Sequence, residues 1–176
     1  MVSINTDGRV HASFIENFPG TAFPEIRFWP YSEGSELVKL RHAIHIITVG
    51  IFKKNHMCNQ HFNTMPKGRS FDDIFGSAST WINFEPRSGV GFMGATSILQ
   101  TPPVDEITIA ADTFARNVWV VAATIIHELA HVNGVPGGTG MTAEDSLKHC
   151  GMAAHWSSSA VGQMDAYNEF FENQMA

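Results

Sequence analysis

Long apolar runs are missing from this 176-residue chain. The two longest, residues 43–52 and 118–126, fall short of the roughly 20 residues a helix needs to cross a bilayer, so no membrane span is expected. Basic residues are scarce: 11 Lys and Arg stand against 17 Asp and Glu, a net charge of −6. Nucleic acids and anionic membranes are bound by clustered cations, and this balance argues against both. Charge of either sign is low at 16%, while 44% of residues are hydrophobic and 13 are Phe, which excludes a disordered chain. Cysteine is almost absent. Cys58 and Cys150 permit one disulfide or two buried thiols, and no Cys-x-x-C exists to build a thiolate metal cluster. No repeat or low-complexity segment is present.

The first eight residues lack a basic start and an apolar core, so no signal peptide is expected. The chain is then cytoplasmic, exported by a non-classical route, or a domain of a larger polypeptide, and its localisation stays open. The length suits one domain over 1–176, with residues 1–36 an extended lead-in or linker remnant. Pro19, Pro24 and Pro30 in that segment each disfavour helix at the preceding residue.

What is present begins with helices. Residues 35–53, with Ser35 as cap and Leu37, Val38, Leu40, Ile44, Ile47 and Ile51 as the apolar face, predict the first. His42 and His45 lie at i, i+3 there and read as polar shoulders rather than ligands. Residues 55–63 continue helically, and His56 and His61 flank Cys58, which is too little for a second metal site. A helical turn is predicted at 70–75. Short strands follow at 80–84, 90–93 and 107–110. The last is the expected edge strand, able to align a peptide by backbone pairing.

A central helix is expected from Asp112 or Thr113 to Asn133, stopped by Gly134. Its first half is apolar nearly all round, which implies deep burial. It carries His127-Glu128-Leu129-Ala130-His131. This is the His-Glu-x-x-His pattern, in which histidines one helical turn apart reach one metal ion and the glutamate acts on water. A buried ionisable trio with no such role would carry a heavy desolvation cost. The expected fold is α+β, mostly helical, with a small mixed or antiparallel sheet on the N-terminal side packed on this helix.

Catalytic zinc takes three protein ligands, and the third must lie beyond His127 and His131. Position 137 is Gly, where the long metzincin motif has its third His. The candidates are Glu144, Asp145, His149, His155, Asp165, Glu169 and Glu172. A capping-box start pairing Thr142 with Asp145 would leave Glu144 free at the first turn of the next helix. Glu144 is preferred on that ground, with His149, Asp165 and Glu169 remaining open. A final helix is predicted at 159–174.

The run from His127 to Gly138, followed by Ala143-Glu144 and Cys150-Gly151, resembles the zincin metallopeptidases. Without the metzincin His it is more similar to the gluzincin side. It is also similar to poorly characterised bacterial zincin domains, some borne on secreted or toxin-delivery polypeptides. The resemblance covers residues 107–151 and the remainder only loosely. It implies a zincin-like fold, Zn2+ held by His127, His131 and Glu144, and a Cys58–Cys150 bridge.

The expected function is hydrolysis of peptide bonds by a zinc-bound water that Glu128 activates as general base and then acid. His149, His155 and Tyr167 are candidates for stabilising the oxyanion. The partner is a peptide or protein substrate. Two alternatives stand beside this reading. One is a bacterial toxin or effector acting on cell-wall peptide or a specific protein, with an immunity protein or a delivery polypeptide as partner. The other is a zinc-stabilised interaction module without catalysis.

Overall fold

The computed structural model describes residues 1–18, 25–98, 104–137 and 141–152. Its elements run β1 (Ser3–Ile4), β2 (Phe14–Asn17), β3 (Glu25–Phe28), α1 (Ser35–Gly50), α2 (His56–Asn63), α3 (Phe71–Phe75) and β4 (Thr80–Glu85). They continue with β5 (Gly94–Thr96), β6 (Asp105–Ala110), α4 (Ala111–Phe114), α5 (Val118–Val132) and α6 (Met141–His149). The class is α+β. No helix among the described residues is long and apolar enough to cross a membrane.

Four strands form a mixed sheet in the order β1-β4-β6-β5. β1 and β6 pair parallel to β4, and β5 pairs antiparallel to β6. All six residues of β6 are buried, because the strand is covered on both faces. Ile107 and Ile109 join Ile82 of β4 in the core with α1 and α5. The alternate residues, Glu106 and Thr108, meet the N-terminal segment instead. Thr108 donates to the Arg27 carbonyl, and the β2–β3 hairpin is joined to β4 through a Trp29–Phe84 bridge. Residues 1–18 and 25–34 are mostly extended, and they close this second face.

Several helix boundaries differ from expectation for local reasons. Helix α1 is capped by Gly34 without a side-chain bond. Ser35 bonds its neighbour Glu36 instead, and Val38, placed on the apolar face above, is exposed. The predicted helix from 112 to 133 is two helices. Asn117 accepts from the amides of Trp119 and Val120, and a residue spent as an N-cap cannot also continue a helix. Lys39 donates to the carbonyls of Phe114 and Arg116, so the chain ends left between α4 and α5 are satisfied. At α3, Ser70 and Asp73 make a reciprocal capping box.

Cys58 of α2 and Cys150, just past α6, are bonded to each other across 92 residues of chain. That loop length implies about 4–5 kcal/mol of stabilisation through the unfolded state. The Cys58→Ser, Cys150→Ser double variant should therefore lose about that much in a denaturant titration. A midpoint unchanged from the wild type would refute it.

Beneath the N-terminal segment lies a polar chain. Asn5 donates to the Asn83 side chain, and Asn83 donates to Glu106 Oε2 at 2.7 Å. His11 Nε2 stands 2.6 Å from Glu106 Oε1, with its ring stacked on Trp81. Burial pushes the Glu106 carboxyl up to about 7, Asp105 adds to the shift, and the Asn83 bond opposes it. Burial likewise holds His11 below its ordinary value. Between the usual carboxylate range and about pH 7, the folded protein keeps a proton on Glu106 that the unfolded chain releases. Stability contributed by this group thus falls as pH rises through that window. Glu106→Gln should flatten that part of the pH–stability curve, measured as denaturant midpoints across it.

Candidate active site

Helix α5 is buried almost throughout, including Glu128, and its C-terminal end is shaped by Gly134. That residue has φ 93°, a conformation open to glycine at little cost. Gly134 N–H donates to the His131 carbonyl and Val135 N–H to the Ala130 carbonyl, the paired closure of a Schellman turn. The turn brings the Val135 carbonyl to 2.9 Å from His131 Nδ1. A carbonyl only accepts, so Nδ1 carries the hydrogen and Nε2 presents a lone pair. His127 Nε2–H donates to that lone pair across 3.0 Å. The two rings therefore face one point with their Nε2 atoms. Burial, then the neighbouring His131, holds His127 down at about 4.

Strand β5 crosses this part of the helix at contact distance. A Cβ at Gly94 would lie 2.8 Å from Thr124 Cγ2 and 2.9 Å from Glu128 Cγ, so the strand can take this path only without a side chain there. One residue pair on, the Thr96 hydroxyl lies 2.8 Å from Glu128 Oε2 and 3.0 Å from the Glu128 carbonyl. Burial pushes the Glu128 carboxyl up to about 7, with Glu144 adding to it and His131 and Thr96 opposing. Gly94 and Thr96 did not emerge from the sequence as site residues. The small-residue run Gly94-Ala95-Thr96-Ser97 was the available signal, because a small residue in a strand marks close approach by another element.

The edge strand is β5 and not residues 107–110. Those lie in β6, which has β4 on one side and β5 on the other. The expectation failed because β5 has only three residues, displaced from the predicted 90–93. Ala110 N–H donates to the Met93 carbonyl and Ser97 N–H to the Glu106 carbonyl. Antiparallel alternation then directs the N–H and C=O of Gly94 and Thr96 to the open side. That side borders a cavity of about 770 Å³ containing His127, Glu128 and His131, with apolar lining from Phe18, Ile26, Phe92, Ile98, Val135 and Pro136.

Helix α6 brings Glu144 to the pair from another direction. Its Oε1 lies 3.6 Å from His127 Nδ1, and its Oε2 is buried with no hydrogen-bond partner among the described residues. Glu144 thus stands beside His127, next to the ring nitrogen that does not face His131. Among the described residues, no three His, Cys, Asp or Glu side chains converge closely enough to hold a metal ion as placed. The donors nevertheless suit one: two opposed imidazole nitrogens, and a carboxylate oxygen withdrawn from water without a partner.

The other candidates are placed elsewhere. His149 stacks on His61 at 4.0 Å and bonds the Asp145 carbonyl through Nδ1, and it does not line the cavity. Asp145 pairs with Lys148. His42, His45 and His56 are exposed, and Cys58 is in the disulfide. His155, Asp165, Tyr167, Glu169 and Glu172, with the helix predicted at 159–174, lie outside the described residues. Comparison of the chain with protein-family models, with curated proteins and with solved structures found no match.

Gly94→Ala should cost about 1–3 kcal/mol by overpacking, whereas Gly137→Ala, with nothing within 4 Å of its Cβ position, should change stability by less than about 0.5 kcal/mol. Denaturant titration of both variants checks the pair. Equal effects would mean that β5 does not depend on the bare α-carbon at Gly94.

Proposed function

We propose that this chain is a zinc-dependent peptidase with a zincin-like site on the gluzincin pattern, acting on a peptide or protein substrate. One observation carries the reading: the facing Nε2 atoms of His127 and His131 lie beside a buried glutamate, under an open strand edge. His127, His131 and Glu144 would hold the zinc ion. Bound there, zinc would supply Lewis-acid polarisation of the scissile carbonyl and of the attacking water.

The chain's own groups account for the remaining steps. Glu128, pushed up to about 7, is poised to take a proton from water near neutrality and return it to the leaving amine. Thr96 holds that carboxylate by its Oε2, which leaves Oε1 for the reaction. The Gly94 and Thr96 backbone groups offer a pairing edge for an extended peptide. The apolar lining of the cavity would receive its side chains.

Metal titration and peptide hydrolysis on three proteins test the proposal together. Wild type should bind one zinc and cleave. Glu128→Gln should keep the metal while kcat/KM falls about 10²–10⁴-fold. Glu144→Ala should bind zinc at least about tenfold more weakly. Undiminished hydrolysis in Glu128→Gln would sink the mechanism, and unchanged zinc affinity in Glu144→Ala would remove that residue from the ligand set. Zinc binding with no hydrolysis of any peptide by the wild type would favour a non-catalytic module.

A further inference from the structure

We propose that Glu16 sets how much of a peptide this cleft reads, by ending the pairing edge of β5 from within the chain. The proposal rests on the peptidase reading. Three residues of this stretch direct backbone groups outward by the alternation of the β5–β6 ladder: Gly94, Thr96 and Ile98. Gly94 and Thr96 lie next to Glu128. Ile98 differs, because its N–H donates to Glu16 Oε1 at 2.9 Å. The bond is not a surface accident. Glu16 is 1% exposed, and its backbone is fixed by pairing opposite Ile26 in the β2–β3 hairpin, whose residue Ile26 also lines the cavity. The Ile98 side chain itself is 63% exposed, so what is sequestered here is its backbone N–H.

The consequence follows from hydrogen-bond chemistry. A peptide added to the β5 edge must present a carbonyl to each outward N–H. At Gly94 and Thr96 it finds donors. At Ile98 the donor is taken, and the group that took it is a carboxylate, which only accepts and repels an incoming carbonyl. Backbone reading therefore stops after about three substrate residues, since two outward residues pair across a three-residue span.

The test is a series of end-blocked peptides from dipeptide to octapeptide. It is assayed for hydrolysis with wild type, and for direct binding by fluorescence anisotropy with Glu128→Gln. Wild-type kcat/KM should rise with length and level off once a span of about three residues is bound, with the binding constants levelling at the same length. Glu16→Ala should carry the rise further, by about three- to tenfold per added hydrogen-bonded pair, in KM and not in kcat. Glu16→Gln, whose amide oxygen can accept the same N–H, should keep the wild-type plateau.

The wild-type series stands even where Glu16→Ala fails to fold. A wild-type rise that continues without a plateau would overturn the proposal and leave the peptidase reading intact. So would a folded Glu16→Ala that levels off where the wild type does. Absence of both hydrolysis and binding for every peptide would overturn the two together.

Discussion

The contact between strand β5 and helix α5 at Gly94 is the constraint on which the rest of this molecule depends. With no Cβ at that position, the strand backbone comes down onto Thr124 and Glu128, which removes Glu128 from water and raises its affinity for a proton. The same approach sets Thr96 where its hydroxyl reaches the Glu128 carboxylate. It also decides the order of the sheet. With β5 at the sheet's rim β6 is internal, and, paired parallel to β4, it is buried on both faces. The N-terminal segment supplies the second cover, which explains why residues as early as Asn5 are fully buried in a stretch that reads from its prolines as a lead-in.

Buried charge is treated in two ways in this fold. Where it is structural, partners surround it. Glu85 accepts from Arg87 and from the Arg27 amide, Asp105 pairs with Arg69, and Glu106 is met by Asn83 and His11. Around α5 the satisfaction is incomplete at one group. The His127 and His131 Nε2 atoms share a hydrogen bond of 3.0 Å and His127 is held in its neutral form, but Glu144 Oε2 is buried without a hydrogen-bond partner among the described residues. Desolvated groups left in that state cost stability.

What the sequence made legible follows the range of the interactions involved. The His127–His131 spacing and the Gly134 stop are properties of one helix, and both hold. Ser70 to Asp73 is a cap within four residues, and the short helix there is found as expected. The resemblance implied the Cys58–Cys150 pairing, and the two cysteines are bonded. Some misses are local, as at the Asn117 cap of α5, and the others are matters of tertiary context. β5 is three residues of Gly, Ala and Thr, with weak strand preference of its own, and it is a strand because β6 and α5 make it one. Asn117 reads as an ordinary interior position until its side chain is seen capping α5. The position of Glu144 beside His127, next to the nitrogen facing away from His131, depends on where α6 packs, and no local pattern encodes that.

The candidate site is thus assembled from three supports of different range. His131 is oriented by its own turn, through the Val135 carbonyl four residues on. Glu128 is held across the fold by Thr96, thirty-two residues away in sequence. Glu144 rides on a helix anchored to α2 through Cys150 and a partner 92 residues distant. Local supports survive most perturbations of the body, whereas long-range ones transmit them. The geometry at His131 is therefore the most robust of the three, and the placement of Glu144 is the one most exposed to events elsewhere in the chain. The histidine pair is thus fixed within one helix and its turn, while the place of Glu144, 3.6 Å from His127 Nδ1, is set by how α6 packs and by the disulfide that follows it.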